Sequence, residues 1–145
     1  MNINDLTGCV IGLAVEVHKQ LGPGLLESVY HKCLEYELVQ HGLQVQSEIV
    51  LPVRYKTMTF QNAYRIDLLV EDRLVVELKA VEKVLPVHGA QLLSYLKLSN
   101  YELGLLMNFN VSRLTDGVKR IINPLCDSAP LCQKKVTNHG YAISH

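Results

Sequence analysis

Apolar side chains recur at three-and-four spacing through Leu6, Val10, Leu13, Ala14, Val17 and Leu21, and Asn4 or Asp5 stands where a helix cap belongs. The pattern predicts a first helix that stops at Gly22-Pro23-Gly24. A second helix is predicted over about residues 25–41, with Leu26, Val29, Tyr30, Cys33, Leu34 and Leu38 on one side and Gly42 as its left-handed stop. Over residues 43–55 the period changes to two: Val45, Ser47, Ile49 and Leu51 alternate with Gln44, Gln46, Glu48 and Val50, the pattern of a strand. Pro52 marks that strand's edge or its end. Residues 64–70 and 74–80 are short β-branched-rich runs joined by Glu71-Asp72-Arg73, the form of a tight hairpin. Beyond Pro86 the leucines 92, 93 and 96 predict a helix over 88–98, followed by a buried strand over 101–109 and a last short helix around 116–122.

The resulting order, ααβββαβ, defines an α/β class with a mixed α+β sheet, folded as one domain over residues 1–124. Residues 125–145 lack sustained periodicity and read as a flexible tail. No internal repeat or low-complexity segment interrupts the chain. Its 145 residues are enough for one ordinary domain.

Composition adjusts this picture only in places. Hydrophobic residues make up 48% and charged ones 19%, a globular balance rather than a disordered one. The longest apolar runs, residues 49–53 and 103–107, fall far short of the roughly 20 residues that cross a bilayer. No basic residue precedes the first apolar ones, so a cytoplasmic location without membrane attachment is expected. Four dispersed cysteines, Cys9, Cys33, Cys126 and Cys132, then read as reduced thiols. Lys plus Arg and Asp plus Glu balance at 14 each, which removes the bulk positive charge that drives avid nucleic-acid binding.

Candidate chemistry gathers on the predicted hairpin. Strand alternation puts Glu77 and Lys79 on one face, with Val76 and Leu78 on the other. If Glu71, Asp72 and Arg73 form a three-residue loop, Val70 pairs with Leu74 and Asp67 stands opposite Glu77; a two-residue loop turns the two carboxylates to opposite faces. Two facing carboxylates repel unless a cation lies between them, and a hard divalent ion such as Mg²⁺ takes one or two carboxylates plus waters and phosphate. The competing reading makes Glu77 and Lys79 the solvated side of an amphipathic hairpin. Glu27 also reads as a first-turn glutamate favoured by the helix dipole, and Tyr30 and Tyr95 as core aromatics. His88 reads as a helix-start residue. Cys126, Cys132, His139 and His145 fit no zinc-ligand spacing, and Gly22 and Gly24 lack the strand and the lysine of a phosphate loop.

Asp67 followed by Glu77-Leu78-Lys79 resembles the D…(D/E)-x-K signature of the PD-(D/E)XK nuclease superfamily, whose restriction-endonuclease-like αβββαβ core matches the predicted order after an extra N-terminal helix. Gly24-Leu25-Leu26-Glu27-Ser28-Val29-Tyr30 is similar to the G-x-x-E-x-x-Y motif of the GxxExxY protein family, and Gln91 with Tyr95 resembles the Q-x-x-x-Y motif of the RecB-like branch. Ile66 stands where the superfamily carries proline. The resemblance implies metal ligands Asp67 and Glu77, with the Leu78 carbonyl as a third. It further implies catalytic roles for Lys79, Glu27 and Gln91, and substrate contacts from Tyr30 and Tyr95. The implied activity is Mg²⁺- or Mn²⁺-dependent hydrolysis of DNA, before RNA, by metal-activated water. The rival readings are a catalytically weak or inactive nuclease-fold module that binds nucleic acid or protein, and a homodimer paired through an exposed strand edge.

Overall fold

The computed structural model describes residues 1–126. The expected tail beyond Cys126, including Cys132, His139 and His145, lies outside the described residues. Helix α1 spans Ile3–Leu21 and is capped by Asn2, whose side chain accepts the Asp5 N–H at 2.8 Å. This cap falls two residues ahead of the expected Asn4. Gly22 ends the helix at φ +71, and α2 follows as Glu27–Gln40, closed by Gly42 at φ +86.

Two long strands come next, β1 (Val45–Tyr55) and β2 (Met58–Val70), then β3 (Leu74–Lys79), helix α3 (Pro86–Ser99), β4 (Leu103–Asn108) and β5 (Val118–Ile122). Together they form one five-stranded mixed sheet in the order β1-β2-β3-β4-β5. Only β3 and β4 run parallel, and α3 is the crossover that such a pair requires. Helix α3 starts two residues earlier than the leucine pattern indicates because Pro86 occupies its first turn, where its missing N–H has no cost. His88 Nδ1 accepts the Leu85 N–H at 2.9 Å, so this histidine caps the helix.

The helix expected at 116–122 is instead a 3-10 turn, Leu114–Gly117, followed by β5. The pairing Leu103↔Ile122 through Met107↔Val118 supplies backbone partners that the five-residue sequence does not advertise. Cysteines 9 and 33 are free thiols as expected, whereas Cys126 is disulfide-bonded.

The sheet is covered on both faces. Leu6, Val10, Ala14 and Val17 of α1 and Tyr30, Leu34 and Leu38 of α2 pack on Leu68, Val76, Leu78 and Leu105. On the other face Leu92 and Leu96 of α3 pack on Leu51, Ile66, Val75 and Leu106. Strands β3 and β4 are therefore apolar on both sides, and each fully buried leucine contributes roughly 1.5–3 kcal/mol. Three side chains break that rule: Glu77 and Asn108, which are buried, and Lys79 at the end of β3. Among the described residues, no helix is long and apolar enough to cross a membrane.

Candidate metal centre between diverging strands

The loop Glu71-Asp72-Arg73 is the three-residue form. Glu71 and Asp72 take left-handed backbone at φ +54 and +53, and the Arg73 N–H donates to the Val70 carbonyl at 3.0 Å. Val70 consequently pairs with Leu74, Leu69 with Val75 and Leu68 with Val76. Asp67 and Glu77 occupy the next position, and there side chains replace the backbone ladder. The Asp67 N–H donates to Glu77 Oε2 at 2.9 Å, and the Leu78 N–H donates to Asp67 Oδ2 at 2.9 Å.

The neighbouring strand is interrupted at the same level. Glu48, at φ +54, lies between the pairs Ser47↔Leu68 and Ile49↔Ile66, across from Asp67. From here β2 keeps register with β1 alone, while β3 continues beside β4 to the pair Lys79↔Asn108. Between the separated strands lies a cleft of about 580 Å³ whose walls include Glu27, Arg65, Asp67, Glu77, Lys79 and Tyr95.

Burial and mutual repulsion govern its electrostatics. Glu77 is only 6% exposed, and burial first, then the charge of Asp67, pushes its carboxyl up to about 8; the Asp67 N–H and the Lys79 ammonium pull the other way. Glu27 is raised by burial and then by Asp67, against the opposing pull of Lys79, His31 and Arg65. Burial and the charges of Glu77 and Asp67 push the Tyr95 phenol to about 12, so it remains an O–H donor at neutral pH. Three acids thus face a site whose neutralising charges are Lys79 and Arg65.

The donor set fits a hard divalent ion. Each of Asp67 and Glu77 holds one backbone amide, and two carboxylates are the protein share that Mg²⁺ commonly takes, with water completing its shell. Among the described residues no group of three His, Cys, Asp or Glu side chains forms a ready-made cage.

The amide that holds Asp67 belongs to the E-x-K triplet itself, so this acid and Glu77-Leu78-Lys79 form one linked unit. A family model of the PD-(D/E)XK nuclease superfamily matches residues 4–121. The chain belongs to this superfamily. No curated protein and no solved structure matches it.

Of the residues that resemblance to the superfamily singles out, Glu27, Asp67, Glu77, Lys79 and Tyr95 line one cleft. Gln91 does not; it is exposed on α3, one turn before Tyr95. Tyr30, expected beside substrate, is fully buried instead. Its ring stacks on Phe109 at 4.6 Å, while its hydroxyl donates to the Gly22 carbonyl at 2.6 Å and accepts the Leu25 N–H at 3.1 Å. Tyr30 therefore ties down the glycine loop that leads into α2 and, with it, the helix end bearing Glu27.

Other parts of the site carry weaker signals in the sequence. Tyr64 meets Tyr95 edge-on at 5.1 Å, and Asn62, Ala63 and Arg65 extend the cleft wall. Asn108, buried beside Lys79 in the register, accepts the Val81 N–H and donates to the Val81 carbonyl, both at 3.0 Å. The Phe109 N–H donates to the Lys79 carbonyl at 2.9 Å. These bonds clamp the chain as it leaves β3. A polar residue inside the apolar run 103–109 was the available signal.

Proposed function

We propose that this superfamily member hydrolyses phosphodiester bonds of nucleic acid, DNA before RNA, with Mg²⁺ or Mn²⁺ held by Asp67 and Glu77. The observation that carries the reading is the convergence of Asp67, Glu77, Lys79 and Glu27 on one open cleft. The G-x-x-E-x-x-Y segment supports placing the chain in the GxxExxY family, and the position of Tyr95 supports the RecB-like branch.

A bound divalent ion supplies the positive charge that acidifies water and neutralises phosphate. The protein's own groups do the rest. Asp67 and Glu77 are held at fixed spacing by each other's strands, so the ligand pair is preorganised. Lys79 brings an ammonium to where negative charge develops on the phosphoryl oxygens. Glu27, made more basic by burial and by Asp67, is suited to take up a proton from the attacking water. The Tyr95 hydroxyl is suited to donate to a phosphate oxygen.

The decisive assay incubates the purified chain with linear, nicked, single-stranded and structured DNA and with RNA, in Mg²⁺ or Mn²⁺, beside Lys79→Ala. Cleavage by the wild type alone supports the reading. Failure to cut every substrate with both ions contradicts it. The zero net charge favours a second reading, an inactive nuclease-fold module with a binding role. Nucleic-acid or protein binding without cleavage identifies that case.

A further inference from the structure

Beyond Pro52 the β1–β2 pair leaves the core. Leu51 still pairs with Tyr64 and is fully buried, but the next registered pair is Val53↔Phe60. The single residue Pro52 therefore faces Gln61, Asn62 and Ala63, and Asn62 takes φ +59 to make this bulge. Asn62 and Ala63 also line the cleft, so the hairpin outside the bulge is continuous with the cleft wall.

The pairs Tyr55↔Met58 and Val53↔Phe60 set those four apolar side chains on one face, and Arg54↔Thr59 falls on the other. Three of these four are open to solvent: Tyr55 is 58% exposed, Met58 52% and Phe60 47%. The charge here is also one-sided. Between residues 50 and 66 the chain carries Arg54, Lys56 and Arg65 and no Asp or Glu, although its overall charge is zero. Arg65 meets Glu48 at 3.9 Å on the surface, whereas Arg54 and Lys56 have no ion-pair partner among the described residues. Lys56 Nζ lies 5.4 Å from the centre of the Tyr55 ring.

We infer that this hairpin is an arm that grips single-stranded nucleic acid and guides it to the cleft, an inference that rests on the hydrolase reading and names its substrate class. Arg54 and Lys56 match the charge of a phosphodiester chain. Exposed rings of Tyr55 and Phe60 take unstacked bases, whose faces a duplex hides. A protein ligand or a second copy of this chain accounts for the apolar rings but not for the continuity of the arm with the cleft wall at Asn62 and Ala63.

The test is fluorescence anisotropy of a labelled oligothymidylate of about 16 nucleotides, against the same length of duplex, with Ca²⁺ in place of Mg²⁺ and the full chain throughout. Tyr55→Ala with Phe60→Ala is expected to weaken single-strand binding about five-fold or more per ring and to alter duplex binding far less. Arg54→Ala with Lys56→Ala is expected to flatten the log–log salt dependence by about 1.4. These positions are exposed, so unfolding curves should match wild type. Wild-type affinity in both double variants overturns the arm, as does absence of single-strand binding by the wild type. Wild-type dimers that the ring variants turn into monomers also overturn it, since the face then belongs to a second copy. Weakened binding in a chain that never cleaves keeps the arm and rejects the hydrolase, whereas unchanged cleavage with unchanged KM in both variants keeps the hydrolase and rejects the arm.

Discussion

Asp67 and Glu77 are bound into each other's strands: Asp67 gives its main-chain N–H to Glu77 Oε2, and Leu78, next to Glu77, gives its own to Asp67 Oδ2, each at 2.9 Å. The bonds fix two acids side by side where the backbone ladder ends. The cost of that proximity is visible in Glu77, whose carboxyl holds its proton to about pH 8 through burial and the charge of Asp67.

A pH dependence follows, with a definite sign. An ion that binds the ionised pair must displace this proton, so Mg²⁺ or Mn²⁺ affinity should rise about ten-fold per pH unit up to about 8 and then level. Calorimetry in buffers of differing ionisation heat reads both the affinity and the released proton. Metal-free stability runs the opposite way. Between the ordinary 4.5 and about 8 the folded chain keeps a proton that the unfolded chain has lost, so stability is greatest below this window and falls as pH rises through it. Urea unfolding of Glu77→Gln should lose that slope. An unchanged slope contradicts the assignment.

Ligand and catalyst separate by mutation. Asp67→Ala should abolish ion binding, whereas Lys79→Ala should leave binding within a few-fold and reduce turnover by about 100-fold or more. Ion titration and single-turnover cleavage measure the two effects. Lys79→Ala with full turnover would remove the lysine from the chemistry.

Asn108 tests what holds Lys79 in place. Asn108→Ala strips partners from the N–H and carbonyl of Val81 and from the Asn110 N–H, which the asparagine oxygen accepts at 3.2 Å. A loss of about 2–3 kcal/mol is expected in chemical denaturation. A change below about 0.5 kcal/mol would show that the clamp is dispensable.

Tyr30→Phe keeps the ring on Phe109 but removes the hydroxyl that joins Gly22 to Leu25. It should destabilise the chain by about 1 kcal/mol or more. A direct substrate contact predicts instead unchanged stability and a raised KM.

Much of this site is legible in the sequence because short-range rules set it. The sequence leaves a two- or three-residue loop open; once three residues fill it, parity places Asp67 beside Glu77, and alternation adds Lys79. Tyr30 is misleading because it belongs to the same motif as Glu27; its partner Phe109 lies far along the chain, and that pairing decides its burial. Residues 118–122 offer Val118, Ile121 and Ile122 at spacings that suit a helix as well as a strand, and the exposed edge of β4 settles the matter. The outer part of β2, Met58 to Ala63, is too exposed to alternate between buried and solvated positions, so its pairing with β1 leaves no apolar signature.

The proposed hydrolysis depends most on a divalent cation sitting between Asp67 and Glu77. Anomalous diffraction from crystals of the protein soaked in Mn²⁺ tests this directly. The expected result is a peak within bonding distance of both carboxylates, lost in Asp67→Ala crystals; crystals of the intact chain with no peak there at saturating Mn²⁺ would contradict it.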